Sequence, residues 1–332
     1  MRAKAILFIC LCISIIACKN SNTADSAAST PTRAIYHWKT TFDLTQEDSL
    51  FLSRHQINRL YVRLFDVVLD NDYSDPVDEV YPAGTTVFKS KPIQGVEIIP
   101  TVYITQGALR EYMDKEEELS ELIVTRVLAM CSWNELGKIS EMQYDCDWTE
   151  STRESFARLC CSTKNILKDK GQDITLSGTI RLHQLEEATY PFDRGVLMMY
   201  NTGPVMNYYT LNSIINYDDA NKYLSVDSRI KKFISARKNN CPIIDVAYPT
   251  FGWGVLFDNN GKFKRLVRDV ENYRRVADES IRIEESDIDV ILKVKELVDN
   301  TIGDICRGNI IYHLDMSNLN KYKQHEIENI LD

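Results

Sequence analysis

A (β/α)8 TIM barrel, an α/β fold of eight parallel strands, is the fold class this sequence predicts, and three observations predict it. Eight short apolar runs rich in β-branched and aromatic residues recur along the chain. Segments of helical spacing separate most of them, the alternation that gives parallel strands with right-handed crossovers. No run leads into a glycine-rich G-x-G-x-x-G turn, which sets aside a doubly wound nucleotide-binding sheet.

The runs lie at 35–38 (IYHW), 59–67 (RLYVRLFDV), 97–105 (EIIPTVYIT), 141–148 (EMQYDCDW), 174–184 (ITLSGTIRLHQ), 195–201 (GVLMMYN), 242–250 (PIIDVAYPT) and 309–315 (NIIYHLD). Helical spacing covers 45–55, 107–132, 151–169, 219–238 and 289–301, and 320–331 closes the chain. Phe156, Leu159, Ile166 and Leu167 mark the buried face of the third helix, with Thr149 or Ser151 as its cap. The acidic stretch EYMDKEEELSELI, 111–123, reads as the solvated face of an amphipathic helix. After the seventh run, about 251–287 is longer than a βα connection needs. Asn259-Asn260-Gly261 there predicts a hairpin, so an elaborated loop or small insertion follows strand seven.

Ahead of the barrel, Arg2 and Lys4 precede an apolar run from Ala5 to Ala17, a secretory leader too short to span a membrane. Ile15-Ile16-Ala17 before Cys18 resembles a bacterial lipobox, which implies cleavage after residue 17 and lipid attachment at Cys18. Residues 18–33 hold Ser, Thr, Ala and Asn with almost nothing to bury, the composition of a flexible tether. The barrel domain is therefore 34–332. The expected location is the cell envelope, at an outer membrane facing periplasm or surface, with the membrane a partner through the Cys18 lipid.

The formal net charge is -9, and loss of Arg2 and Lys4 with the leader takes it to -11. An acidic surface excludes nucleic acid and anionic lipid as main partners and leaves neutral glycans open. Of nine cysteines, Cys131, Cys146, Cys160, Cys161, Cys241 and Cys306 remain in the domain. None forms a C-x-x-C pair, so neither a zinc ribbon nor a thioredoxin-type site is expected, and buried free thiols are. No compact ligand motif predicts a metal, and no cofactor is expected.

Strand phase gives the lining of the barrel. On the fourth run Gln143, Asp145 and Asp147 share one face, turned to the interior and rising toward the C-terminal mouth where barrel enzymes keep their chemistry. Two carboxylates side by side repel, so they need a counter-charge or a shared proton. Thr179, Arg181 and His183 turn inward on the fifth run, and Arg181 or Arg63 supplies the counter-charge. Tyr103, Tyr200 and either Tyr312 or His313 complete the lining. Aromatics at strand ends, Trp38, Tyr103, Trp148, Tyr200, Tyr248, Phe251 and Trp253, are of the kind that stacks sugar rings or fills a core. Trp148 and Trp253 are the two expected nearest solvent.

Three motifs together resemble glycoside hydrolase family 18, the chitinase-like group. Its strand-four pattern D-x-x-D-x-D-x-E lays its central aspartates on Asp145 and Asp147, its first aspartate on Met142 and its general-acid glutamate on Thr149. Its M-x-Y-[DN] on strand six matches Met198-Met199-Tyr200-Asn201. Its strand-seven segment and inserted subdomain match AYPTFGWG, 247–254, and the long stretch beyond. The resemblance implies a (β/α)8 barrel acting on glycan, with Asp147 as acid in place of the glutamate, and Asp145 and Tyr200 steering the intermediate. Trp38, Arg63, Tyr103, Trp148, Arg181, His183, Asn201, Tyr248 and Trp253 are the residues expected to bind the sugar chain. The chain also resembles a family of envelope lipoproteins sharing DCDWT-ST, TIRLHQ and DRG-LM-YN, which implies the barrel and names no activity. Three function classes follow: a glycoside hydrolase-like envelope lipoprotein acting on a polysaccharide or peptidoglycan-like substrate, a barrel that binds glycan without catalysis, and a lipoprotein whose mouth meets protein. Thr149 divides the first from the second. Glu150, Glu186 and Glu187 are the other carboxylates near enough in sequence to reach the mouth.

Overall fold

In the computed structural model the described residues are 32–70, 79–182, 184, 190–199, 243–267, 270, 273–274, 279–303 and 306–332. The side chains of 243, 301 and 307 are excepted. Eight parallel strands close on themselves: β1 Thr32–His37, β2 Arg59–Asp70, β3 Glu97–Ile104, β4 Glu141–Cys146, β5 Thr175–Ile180, β6 Arg194–Met198, β7 Ile243–Pro249 and β8 Cys306–Tyr312. Each pairs with its successor, and β8 returns to β1. Every apolar run of the sequence becomes one of these strands.

Period-two alternation sorts side chains into two cores. Met142, Tyr144 and Cys146 of β4 point outward into the layer beneath the helices, where the Tyr144 hydroxyl meets Thr163 Oγ1 at 2.7 Å. Thr163 lies on the helix Arg153–Asp169, which packs over β4 and β5. Ala34, Tyr36, Tyr61, Ile99, Val196, Met198, Ala247 and Ile310 fill the interior. Below them, at the N-terminal ends of the strands, Arg59 bonds Glu97 at 2.9 Å and Glu141 at 2.7 Å, and Arg194 Nε donates to Asp245 at 2.8 Å. These couples plug the floor with mutually neutralised charge, as burial demands.

The helices follow the expected spacing with three differences. The second is split into Gln106–Glu111 and Glu116–Trp133, with Asp114 in the left-handed region at φ 66 between them. On the second piece Glu117 and Glu118 are exposed, but Glu116 is buried and accepts from Ser155 at 2.7 Å and Arg158 at 2.7 Å. The third helix starts after Thr152 rather than Thr149 or Ser151, and Thr152 makes no side-chain cap bond; its hydroxyl instead folds back to accept from the Thr149 N–H at 3.0 Å. The expected helix at 219–238 lies outside the described residues, as do the leader, Cys18 and the tether to residue 31.

Beyond β7, Gly252–Phe257, Phe263–Val267 and Ser280–Glu285 form a separate three-stranded antiparallel sheet. Its first two strands flank the Asn259-Asn260-Gly261 turn, where Gly261 takes φ +75. Among the described cysteines all are free; Cys131, Cys146 and Cys160 are buried, whereas Cys161 is exposed, which corrects the expectation of buried thiols at that position. No helix among the described residues is long and apolar enough to cross a membrane.

Candidate functional site at the barrel mouth

At the C-terminal mouth a cavity of about 580 Å³ is lined by Trp38, Lys39, Thr40, Arg63, Asp66, Tyr103, Asp145, Arg181 and Tyr312. In the buried interior of the barrel the Tyr36 hydroxyl donates to Gln143 Oε1 at 2.8 Å. One layer up, Asp145 is buried and sits in register with Tyr103 of β3. Asp145 Oδ1 accepts from Thr179 Oγ1 at 2.6 Å and from Arg181 Nη2 at 2.8 Å. Arg181 Nε also donates to Asp147 Oδ1, whose side chain is 44% exposed at the rim. One guanidinium thus bridges both carboxylates, which is how two aspartates on one strand face coexist.

Burial raises the Asp145 carboxyl above the ordinary aspartate range, and Arg181 and Thr179 pull against that rise without cancelling it. The Tyr103 phenol is pushed up to about 12 by burial and by Asp147 and Asp145 nearby, so at neutral pH it is a hydrogen-bond donor.

Beyond β4 two glutamines hold the turn. Gln106 Nε2 donates to the Asp147 carbonyl at 2.7 Å and Gln184 Nε2 to the Trp148 carbonyl at 2.9 Å. Gln184 Oε1 in turn accepts from the Arg181 N–H at 2.8 Å, tying β5 to the same turn. Thr149 is drawn toward Gln106 Oε1 at 3.4 Å and Ser151 Oγ at 3.1 Å. It does not line the cavity. Glu150 is exposed.

The other wall is aromatic. Trp38 lies 5.7 Å from Tyr312 between ring centres, and both lean on Tyr36, at 6.0 and 5.3 Å. Phe251 meets Tyr312 edge-on at 5.8 Å and Trp253 at 5.1 Å, so the rings run from the barrel interior onto the inserted sheet. Trp253 is half-buried and donates from Nε1 to Glu284 at 2.9 Å.

The structure therefore brings together Asp145, Asp147, Arg181, Arg63, Tyr103 and Trp38, with Trp253 at the end of the aromatic run. Two expected ligand contacts are corrected. Tyr248 is fully buried in the outer layer, since it is out of phase with the inward Asp245 and Ala247. Trp148, expected near solvent, is buried on the same outer side and stacks on Phe156 at 6.1 Å. His183, Tyr200, Asn201, Glu186 and Glu187 lie outside the described residues. Asp66 was not expected; a bulge on β2 brings it in, and alternation alone gives no sign of it. Lys39 and Thr40 directly follow Trp38, and their place just past a strand end was the available signal.

No family model matches the sequence, and no curated protein matches it. Solved structures do match in fold. The spore cortex-lytic enzyme SleL of Bacillus cereus superimposes with a TM-score of 0.50 at 12% identity, covering 90% of this chain and 74% of that one. A chitinase from Bacteroides thetaiotaomicron superimposes with a TM-score of 0.50 at 13% identity, covering 91% of this chain and 96% of that one. The fold is that of the chitinase-like barrels. At such identities the likeness concerns the backbone. In this barrel the strand-four aspartates Asp145 and Asp147 stand at the mouth, and Thr149, two residues on, is turned aside toward Gln106.

Proposed function

We propose that this protein is a glycan-binding envelope lipoprotein, a chitinase-like barrel in which the carboxylates hold a sugar chain in place. The observation that carries this reading is Arg181, bonded to both Asp145 and Asp147 in a cavity walled by Trp38 and Tyr312. An aromatic face opposite a row of fixed hydrogen-bonding groups is the arrangement that recognises a sugar ring. The fold relatives named above are a cortex-lytic enzyme and a chitinase, which supports glycan as the ligand class. The leader ending at Ala17, directly before Cys18, supports a lipid anchor and an envelope location, with a polysaccharide or peptidoglycan-like polymer as the target.

Hydrolysis by Asp147 is the second reading, favoured by its exposure at the rim beside the more buried Asp145. A general acid must be free to deliver a proton to the leaving group, and Asp147 is engaged by the Arg181 guanidinium that also holds Asp145. Binding without turnover is the expected behaviour. Calorimetric titration with N-acetylglucosamine tetramers and other oligosaccharides, run beside a reducing-end assay, tests it. Turnover that disappears in Asp147→Asn would replace binding with hydrolysis, and no binding to any glycan would remove both.

Two variants sharpen the test. Trp38→Ala removes the larger ring of the aromatic wall and is expected to weaken glycan binding about tenfold or more, measured in the same titration. Thr149→Glu restores the family's residue type at a position that faces Gln106 and Ser151 rather than the cavity, so reducing-end release is expected to stay at background. Turnover appearing in that variant would show that the side chain can swing into the mouth.

A further inference from the structure

Among the described residues, every cation lining the cavity faces a carboxylate. Arg181 meets Asp145 and Asp147, Arg63 meets Asp66, and Lys39 lies 4.0 Å from Asp315. The Arg63 couple is the most elaborately built of the three. The register of β2 against β3 shifts between Arg63 and Phe65, so the consecutive Leu64 and Phe65 are both buried in the outer layer. That bulge returns Asp66 to the interior phase beside Tyr103. Thr86 pins it, donating from N to the Leu64 carbonyl at 2.7 Å and from Oγ1 to the Arg63 carbonyl at 2.6 Å. Arg63 Nε then donates to Asp66 Oδ1 at 2.6 Å, with a second bond from Nη2 to Oδ2. Gly84, at φ +53, passes directly against the guanidinium, and a Cβ there would collide with Arg63 Nη2. Bulge, pin and glycine all serve to seat one ion pair in the wall.

We propose that this mouth selects uncharged sugar chains and rejects acidic ones, with Asp66 as the residue that sets the selection by masking Arg63. The inference rests on the glycan-binding reading above. A bidentate guanidinium–carboxylate couple carries no net charge, yet it offers acceptors and remaining N–H donors at fixed positions. Hydroxyl and amide groups can use both. A uronate carboxylate or a sulfate finds its natural partners committed and meets the Asp66 and Asp145 carboxylates instead, so its desolvation goes uncompensated. The overall charge of -9 opposes anionic chains at longer range.

The test titrates the whole protein with neutral tetrasaccharides of N-acetylglucosamine, glucose and mannose, and with tetragalacturonate. The wild type is expected to bind at least one neutral chain and not the uronate. Asp66→Asn exposes the Arg63 charge and is expected to raise uronate affinity about tenfold relative to the neutral chain, the size of a charge-assisted bond gained. The double variant Arg63→Gln/Asp66→Asn is expected to return the ratio to the wild-type value, which a merely structural role for Asp66 would not produce. Circular dichroism verifies the fold; if Asp66→Asn does not fold, Asp315→Asn unmasks Lys39 and is expected to shift the ratio in the same direction. Equal wild-type affinity for uronate and neutral chains, or an unchanged ratio in a folded Asp66→Asn, overturns the selection while leaving glycan binding intact. Failure to bind any of the four chains removes the glycan reading, and this inference with it.

Discussion

Replacing Arg181 by methionine is expected to lower the unfolding free energy at pH 7 by about 3–5 kcal/mol, the cost of leaving a buried carboxylate without its partner. Methionine keeps the apolar stem of arginine and drops the guanidinium, so most of the loss reports the charge. Asp145, with a side chain only 5% exposed, would retain the Thr179 hydroxyl alone as a described partner. Asp147 contributes little to the loss, because a half-exposed carboxylate is rehydrated when its partner leaves.

The sign of the pH dependence separates this account from ordinary loss of packing. Burial already raises the folded-state Asp145 carboxyl above its unfolded value, and removal of Arg181 raises it further. Between the unfolded value and that raised one, the native state binds a proton that the unfolded chain does not, so stability rises as pH falls through the window. Urea denaturation at pH 7 and pH 5 should therefore show the gap between wild type and Arg181→Met narrowing on acidification. A gap equal at both values would mean that the destabilisation comes from packing, and that Asp145 does not depend on Arg181 for its charge. The same variant should lose glycan affinity, since its guanidinium fixes both carboxylates at the mouth.

How far the sequence could be read follows from which physical rules are local. Eight strands were legible because burial on both faces of a barrel leaves near-continuous apolar runs, and Asp145, Asp147, Thr179 and Arg181 were placed by counting in twos along β4 and β5. The same count, carried through β7, sets Tyr248 in the outer layer opposite in phase to Asp245; aromatic character at a strand end misled there. Trp148 misled in the same way, since solvent at a strand end was assumed where Phe156 of the next helix in fact covers it. Asp66 was beyond reach of the pattern. A bulge inserts one residue without any composition of its own, and everything after Arg63 changes face. The roles of Gln106 and Gln184 were equally hidden, because each bonds a backbone carbonyl more than thirty residues away. Local alternation fixes which way a strand residue points; it cannot fix what stands opposite.

Acidification from about pH 6.5 to pH 4 is expected to cost roughly 3 kcal/mol of stability through one group, His37. This histidine ends β1 immediately before Trp38, is 3% exposed and lies 5.0 Å from the Phe42 ring. Its pKa is lowered to about 4, first by burial and then by the positive charge of Lys39 and the neighbouring His313, with Asp48 opposing weakly. Across the window from 6.5 down to about 4 the unfolded chain takes a proton that the native state refuses. Stability therefore falls as pH falls, and the loss is complete once pH drops through the folded value. Asp145 and Asp245, whose carboxyls are raised by burial, work in the opposite direction, so the histidine is best seen by difference. His37→Phe keeps a ring against Phe42 and removes the titration. As pH falls toward 4 the wild-type denaturation midpoint should drop further than the variant's, so the two curves converge if the wild type is the more stable at pH 7 and diverge if they begin equal. Parallel curves would mean that His37 accepts its proton inside the fold. Within the folded protein His37 takes its proton only as pH drops through about 4, so glycan affinity should hold across that window and weaken below it, when charge appears directly behind Trp38 and Lys39.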